Sequence, residues 1–485
     1  MRCFEGQSRD GFPVGKLCTV RWRGFALLCL LCSGCAGVNY CDGRPRVAGD
    51  LQSRVQQSVG PAKCDDDSMV PPDVLLEDGV TADEAVAMAL WNNSDFHATL
   101  ARIGMARGDL IQSGMLTNPQ FFILLPGSTR QLEYALFMPV ESLVLRKHRV
   151  AIAERDYCRI ADELVQNGLN LVRDVRLAHA DLVLAQRRVQ LAGQAVALRT
   201  RIAELTGKRL QAGEISELEA TTARIDELRT RASAAGLPQQ VSVAEARLKN
   251  LMGIAVLNTS IAAVEGLPAL NRQIDTEQLV AEAMQSRPDL KAARMAFAAE
   301  QERATVSRWR WLRFDMVADG NHGGAGASNA GPGFRFDVPL FDRNEGGNVR
   351  ADWSVYQASQ TYYALRDRVI MEVRVAAAQA QQADQNLTIL RTDVMSSLQD
   401  AAALAEKAYT DGGADFFLVL QTSSQLLETQ TSELQLANDL QRAHAELERS
   451  VGRRLFDDDQ TAEVPKASAV ESEVRDDSMD AEGTK

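Results

Sequence analysis

Leu312-Arg-Phe-Asp-Met-Val-Ala-Asp319 and Phe334-Arg-Phe-Asp-Val-Pro-Leu340 are the two stretches whose reading decides the fold. In the first, Leu312, Phe314, Met316 and Ala318 fall on one side of an extended chain, and Arg313, Asp315, Val317 and Asp319 on the other. In the second, Phe334, Phe336, Val338 and Leu340 oppose Arg335, Asp337 and Pro339. This period of two predicts a strand hairpin over about 309–341. Residues 320–333 between the strands, rich in Gly, Asn, Ala and Ser, read as its loop. Trp309 and Trp311 stand at its edge, as interfacial aromatics do. A matching pair lies earlier, over about 119–140: residues 121–125 and 132–138 flank Pro126-Gly-Ser-Thr129. There Leu132, Tyr134, Leu136 and Met138 alternate with Glu133, Ala135 and Phe137, while residues 121–125 alternate poorly.

Apolar residues outward and charged residues inward make the inside-out pattern of a membrane barrel. A soluble sheet over a core has the same period. Strand number separates the two. Four strands leave two open edges, and hydrocarbon tolerates none. Membrane barrels begin at about eight strands, so other copies must complete the sheet. Three copies give twelve strands; two give eight, which side chains would fill.

Outward from the strands, the chain is built twice, with a period of about 200 residues, a duplicated domain rather than a solenoid. Thr81-Ala-Asp-Glu-Ala-Val and Asn93-Ser-Asp-Phe96 return as Thr276-Glu-Gln-Leu-Val-Ala and Arg287-Pro-Asp-Leu290. Phe137-Met-Pro-Val140 returns as Asp337-Val-Pro-Leu340, Arg209-Leu-Gln-Ala-Gly213 as Tyr409-Thr-Asp-Gly-Gly413, and Leu248-Lys-Asn-Leu-Met-Gly253 as Leu447-Glu-Arg-Ser-Val-Gly452. Each half opens with a capped helix, broken before Asp95 or Asp289, where a second helix begins.

A long helical hairpin ends each half, over about 146–253 and 347–452. Leu171, Val175, Ala178, Leu182, Ala185, Val189, Ala192 and Val196 step by four and three. So do Val369, Val373, Ala376, Ala380, Ala383, Leu387, Leu390, Val394, Ser397, Ala401, Leu404 and Ala408. Such steps put each set on one coiled-coil seam, about 60 Å long in the second case. The turns are expected at Gly213 and Gly413, and Gly236-Leu-Pro238 should kink the first descending limb. Helices alone fit a coiled-coil scaffold equally well.

Among 485 residues, 45% are hydrophobic and only 6% aromatic, which suits Ala-rich helices. The net charge of −12 disfavours nucleic acid as a partner. Seven of eight cysteines lie at or before Cys64, so the body holds neither a disulfide scaffold nor a zinc cluster; Cys41 and Cys64 could pair in an oxidising compartment. Arg21 and Arg23, the apolar run 25–31 and Ser33-Gly-Cys35 read as a secretory signal over 1–34. Ser-Gly-Cys resembles a bacterial lipobox, which would lipidate Cys35; Cys32 departs from it, and a plain signal cut nearby is the alternative. Residues 1–20 form a long lead, as a start codon assigned too early would give. His97, His148, His179, His322 and His444 are scattered, HExxH is absent, and residues 320–333 lack the Lys-Ser/Thr of a phosphate loop. No catalytic residue, metal site or cofactor is expected.

Together, the lipobox, the duplicated halves, the Gly-centred hairpin turns and the Leu-x-x-Leu-Met-Gly end resemble the TolC-like outer-membrane efflux proteins over residues 73–456. Arg209-Leu-Gln-Ala-Gly-Glu-Ile-Ser-Glu-Leu218 is similar to the family's adaptor-facing tip, and within the family the chain looks most like the components of heavy-metal efflux pumps. The resemblance implies a mainly α protein with a membrane β-barrel: four strands per chain, coiled-coil hairpins, and a trimeric barrel-tunnel. It implies a passive exit duct fed by an inner-membrane pump through a periplasmic adaptor. Expected segments are a lipid-anchored linker at 35–72, repeats at 73–265 and 266–456, and an acidic disordered tail at 457–485. Arg209, Gly213, Ser216, Leu218, Gly412 and Gly413 would form the tips. The protein that names the family has two acids closing its periplasmic entrance; Leu418 and Gln421 stand there in this chain. Asp411 and Asp415, or Phe416 and Phe417, are the alternative gate candidates, and simple packing of the tip is the third reading. A lipid-anchored scaffold that never inserts is the competing function.

Overall fold

The computed structural model describes residues 43–61, 70–72, 74, 79–125, 127, 132–258, 260–264, 274–311, 313–323, 327–410 and 416–456. The signal, Cys35, Asp411, Gly412, Gly413, Asp415 and the acidic tail lie outside them. A first helix, α1 (Gly43–Val55), precedes both repeats. Repeat one runs α2 (Ala82–Asn92), α3 (Ser94–Gly114), β1 (Gln120–Leu124), β2 (Leu132–Pro139), a single turn α4 (Glu141–Val144), α5 (Arg146–Gln211), α6 (Glu217–Ala234) and α7 (Leu237–Leu251). Repeat two runs α8 (Thr276–Ser286), α9 (Pro288–Trp309), β3 (Phe314–Gly323), β4 (Ala327–Phe336), α10 (Glu345–Ile389), a π-helical turn (Leu390–Met395), α11 (Ser396–Thr410) and α12 (Phe416–Val451). With 66 residues, α5 is about 100 Å long.

Local chemistry sets the breaks. Thr81 and Glu84 cap α2 with a reciprocal capping box, and the Asn93 side chain accepts the Phe96 amide to start α3. In repeat two Asp275 caps α8, and Pro288 opens α9. Both hairpins end on a glycine with positive φ, Gly253 (+70°) and Gly452 (+86°). A Cβ on Gly253 would lie 2.3 Å from the Asn92 carbonyl oxygen, so this glycine is both a helix stop and a close approach, whereas Gly452 is a helix stop alone. The joint differs between halves. Asn93 donates to the Leu251 carbonyl at 2.8 Å. Arg287, 2% exposed, donates to the Ser450 carbonyl and pairs with Asp289 and Glu372.

The helices pack in rows: α3 and α9 flank α5, and α9 carries α10 on its other side. Farther down, the limbs run α11–α12–α5–α6. The first seam is half-buried to buried and the descending limb is interrupted at Ala235–Gly236, as the sequence predicts. α1 seats Val47, Leu51 and Val55 against α5, where Gly168 leaves room for Leu51. Arg54 then donates to Gly452 O at 2.7 Å and Ser286 O at 2.8 Å.

Two expectations change. The glycine-rich stretch is strand rather than loop: β3 runs to Gly323, β4 starts at Ala327, and pairs such as Gly320↔Ala330 and Asp319↔Gly331 continue the ladder. Backbone hydrogen bonds build a ladder whatever the side chains, so Gly, Ala, Ser and Asn hide a strand from a hydrophobic pattern. Conversely, β4 stops at Phe336, so Val338 and Leu340 lie past the sheet. The second seam is also re-phased. Val369 to Leu387 are buried as read, but Val394, Ser397 and Leu404 are exposed; the inward line is now Met395, Leu398, Ala402, Ala405 and Tyr409. Each is one residue later than the strict pattern, because a π turn spends one extra residue.

His444 in α12 is 4% exposed and stacks on Phe456 with 4.1 Å between ring centroids. Neither ring nitrogen has a hydrogen-bond partner among the described residues, and burial pushes its pKa from 6.5 down to about 4. Unfolded, the ring takes a proton below its ordinary value; folded, it does not. Stability therefore holds above pH 6.5 and falls as pH drops toward 4, by about 3 kcal/mol in all. Urea midpoints at pH 7.5 and 4.5 should differ by clearly less in His444→Phe than in the native chain.

Candidate channel wall and hairpin tips

One antiparallel sheet holds all four strands in the order β1-β2-β3-β4, with β1 and β4 at open edges. The register sorts the side chains. Phe121, Ile123, Leu132, Tyr134, Leu136, Met138, Phe314, Met316, Ala318, Phe334 and Phe336 share one face. On the other are Gln120, Phe122, Leu124, Glu133, Ala135, Phe137, Asp315, Val317, Asp319, Asn321, Asn329 and Arg335. On the apolar face Phe314 stacks on Phe334 at 5.5 Å, and the Tyr134 ring covers Gly320. On the polar face Arg335 binds Asp315, with Nε at 2.9 Å, and lies over the Phe137 ring at 4.6 Å. Phe121, Phe122 and Ile123 are all exposed, the poor alternation of the sequence being that of an edge strand. No described helix is long and apolar enough to cross a membrane.

At the first tip, Gly213 (φ +77°) ends α5: its amide reaches Leu210 O, and the Glu214 amide reaches Arg209 O. Ser216 caps α6, accepting the Glu219 amide, and Leu218 is 76% exposed. The structure thus gathers Arg209, Gly213, Ser216 and Leu218 at one turn. Of the gate candidates, Phe417 is described and exposed, next to Phe416 at the head of α12.

Of the ties between hairpins, none of them read from the sequence, two lie toward the tips. The Arg209 guanidinium lies 4.3 Å over the Tyr409 ring. Higher up, Arg199 is 5% exposed; it donates to Ser423 Oγ at 3.1 Å and Ser424 Oγ at 2.7 Å. Its Nε lies 3.0 Å from Asp226, an ion pair without hydrogen-bond alignment. Glu227, also buried, accepts Arg231 at 2.6 Å and Arg224 at 3.4 Å. A signal existed: three residues after Val196, Arg199 continues the first seam, and a charge on a seam needs a partner.

The profile of the outer membrane efflux protein family matches residues 129–254 and 279–453. This chain belongs to that family. The cobalt-zinc-cadmium resistance protein CzcC of Cupriavidus metallidurans is 25% identical over 385 residues, 77% of this chain and 90% of that protein. Nodulation protein T of Rhizobium leguminosarum bv. viciae is 22% identical over 404 residues, 76% of this chain and 81% of that protein. Among solved structures, CusC superposes with a TM-score of 0.66 at 18% identity, over 76% of this chain and 91% of CusC. VceC of Vibrio cholerae gives 0.64 at 16%, over 77% and 96%. The protein is therefore an outer-membrane channel of a tripartite efflux pump, from a family of ducts rather than enzymes. Among the described residues no group of side chains could hold a metal ion.

Replacing Arg199 by Met removes both serine bonds and the ion pair while keeping length. It should lower stability by about 1–3 kcal/mol. Amide exchange around residues 195–230 should accelerate, while exchange in the sheet stays unchanged.

Proposed function

We propose that three copies of this chain close a twelve-stranded barrel over a tunnel of twelve helical limbs, through which solutes leave passively. The open edges of the sheet carry this reading: β1 and β4 each need a partner strand that the chain does not supply. The polar face lines the duct and the apolar face meets lipid. The tips at Arg209, Gly213, Ser216 and Leu218, with Gly412 and Gly413, dock a periplasmic adaptor that joins an inner-membrane pump. Cys35 carries the lipid. Divalent metal cations are the favoured cargo, supported by the kinship with a cobalt-zinc-cadmium resistance protein and by Glu133 and Asp319 on the polar face.

Native mass in mild detergent tests the assembly. Three chains per particle, helix-rich with a minority β signal, is the expected result; a single chain released by salt alone would leave a membrane-anchored scaffold instead. For the gate, single-channel conductance should rise several-fold in Phe417→Ala or Phe416→Ala if an aromatic constriction closes it. A rise in Asp411→Asn or Asp415→Asn points to an acidic ring, and no change in any assigns all four to packing.

A further inference from the structure

Where α1 meets α5 and the end of α12, the chain forms a small cavity of about 20 Å³. Part of its wall is apolar, from Val55, Leu169, Val172 and Ala445. The rest is almost wholly cationic: Arg54, Arg173, Arg176, Arg449, Arg453 and Arg454, with Glu448 as the one carboxylate among the described residues. Six positive charges and one negative charge thus border a space large enough for about one water or one halide ion.

Most of these arginines are balanced from behind. Arg173 pairs with Asp174 and Glu446, Arg449 with Glu446 and Glu372, and Arg453 with Glu282. Arg176 and Arg454 share Asp83, and Arg176 also binds Glu448. Apart from Glu448, none of these carboxylates borders the cavity. Coulomb energy falls with distance, so the charges in the wall outweigh those behind it at the cavity's centre. Arg54 is not balanced at all. Its guanidinium donates to Gly452 O at 2.7 Å and Ser286 O at 2.8 Å, both neutral carbonyls. Asp50 and Asp162 act on it only from farther off, and burial lowers its pKa. A half-buried guanidinium held by carbonyls alone keeps much of its charge uncompensated. We propose that the cavity binds one halide ion, which offsets the charge of Arg54 and ties α1 to α5 and α12. The site is built within one chain, so it stands or falls apart from the assembly. One oxygen of a carboxylate would supply the same chemistry, and Asp457-Asp-Asp459 follow Phe456 directly in sequence.

Thermal unfolding of the full chain in mild detergent tests this, with chloride replacing gluconate at constant ionic strength. Gluconate is too bulky for the cavity, and fixed ionic strength holds screening constant. The melting temperature should rise by several degrees and level off as chloride saturates the site, and bromide should substitute for it. Arg54→Gln should abolish that rise, whatever it does to the baseline. Because Arg54 also binds two carbonyls, a second variant keeps every charge: Ala445→Val narrows the cavity and should flatten the response as well. In crystals grown with bromide, an anomalous peak should lie among Arg54, Arg173 and Arg453. A rise seen only when Asp457, Asp458 and Asp459 are all changed to Asn assigns the negative charge to the chain itself and overturns the free halide. No chloride dependence in either chain overturns the site. So does a dependence that is equal in the native chain, Arg54→Gln and Ala445→Val.

Discussion

A backbone amide or carbonyl without a partner costs several kcal/mol in hydrocarbon. This chain carries two rows of them, along the outer edges of β1 and β4. Everything below the sheet can be read as the apparatus that brings such edges to one another. Four short strands have little grip on a neighbouring copy. Helical limbs approaching 100 Å in length have a great deal, and they run straight from the base of the sheet. The protein thus separates two tasks: the sheet satisfies the membrane, and the helices hold the sheet's edges in place.

Duplication supplies the limbs but not two equal halves. The glycine stop is the same in both, at Gly253 and Gly452, because each helix ends on a residue with positive φ. The side chain that receives it differs. Repeat one uses the neutral amide of Asn93, while repeat two uses the buried guanidinium of Arg287 with two carboxylates. A buried ion network is seldom more stable than an apolar joint, but it tolerates few rearrangements. The second hairpin is also the one broken by the π turn. The two repeats have therefore diverged where they meet other helices, not where they fold.

Much of this was legible in the sequence because its causes are local. Caps such as Thr81 and Asn93, the Gly213 turn and the Gly236-Leu-Pro238 break depend on a few adjacent residues. The long seams are legible for a related reason: period is a property of one helix. What escaped depends on partners. The strand character of residues 320–323 and 327–333 comes from ladder hydrogen bonds, which Gly and Ser form as well as Val does. The phase slip at Leu390–Met395 has no local apolar signature, since both the old and the new line are rich in Ala and Leu. Arg199 extends the first seam in the sequence, but only the third dimension reveals Ser423 and Ser424 beside it.

The seat of α1 has a consequence for the order of assembly. Arg54 binds Gly452, 398 positions along the chain, and Ser286, 232 positions along. Neither carbonyl is in place until the second repeat has formed its first helix and its last. The groove for Leu51 beside Gly168 belongs to the first repeat and is ready much earlier. The front of the chain can lodge there, but its final latch closes only over a finished protein. Closing so long a loop is entropically costly and slow. In effect the chain inspects its own completion: a copy truncated before Gly452 would carry a helix that has found its groove and cannot lock.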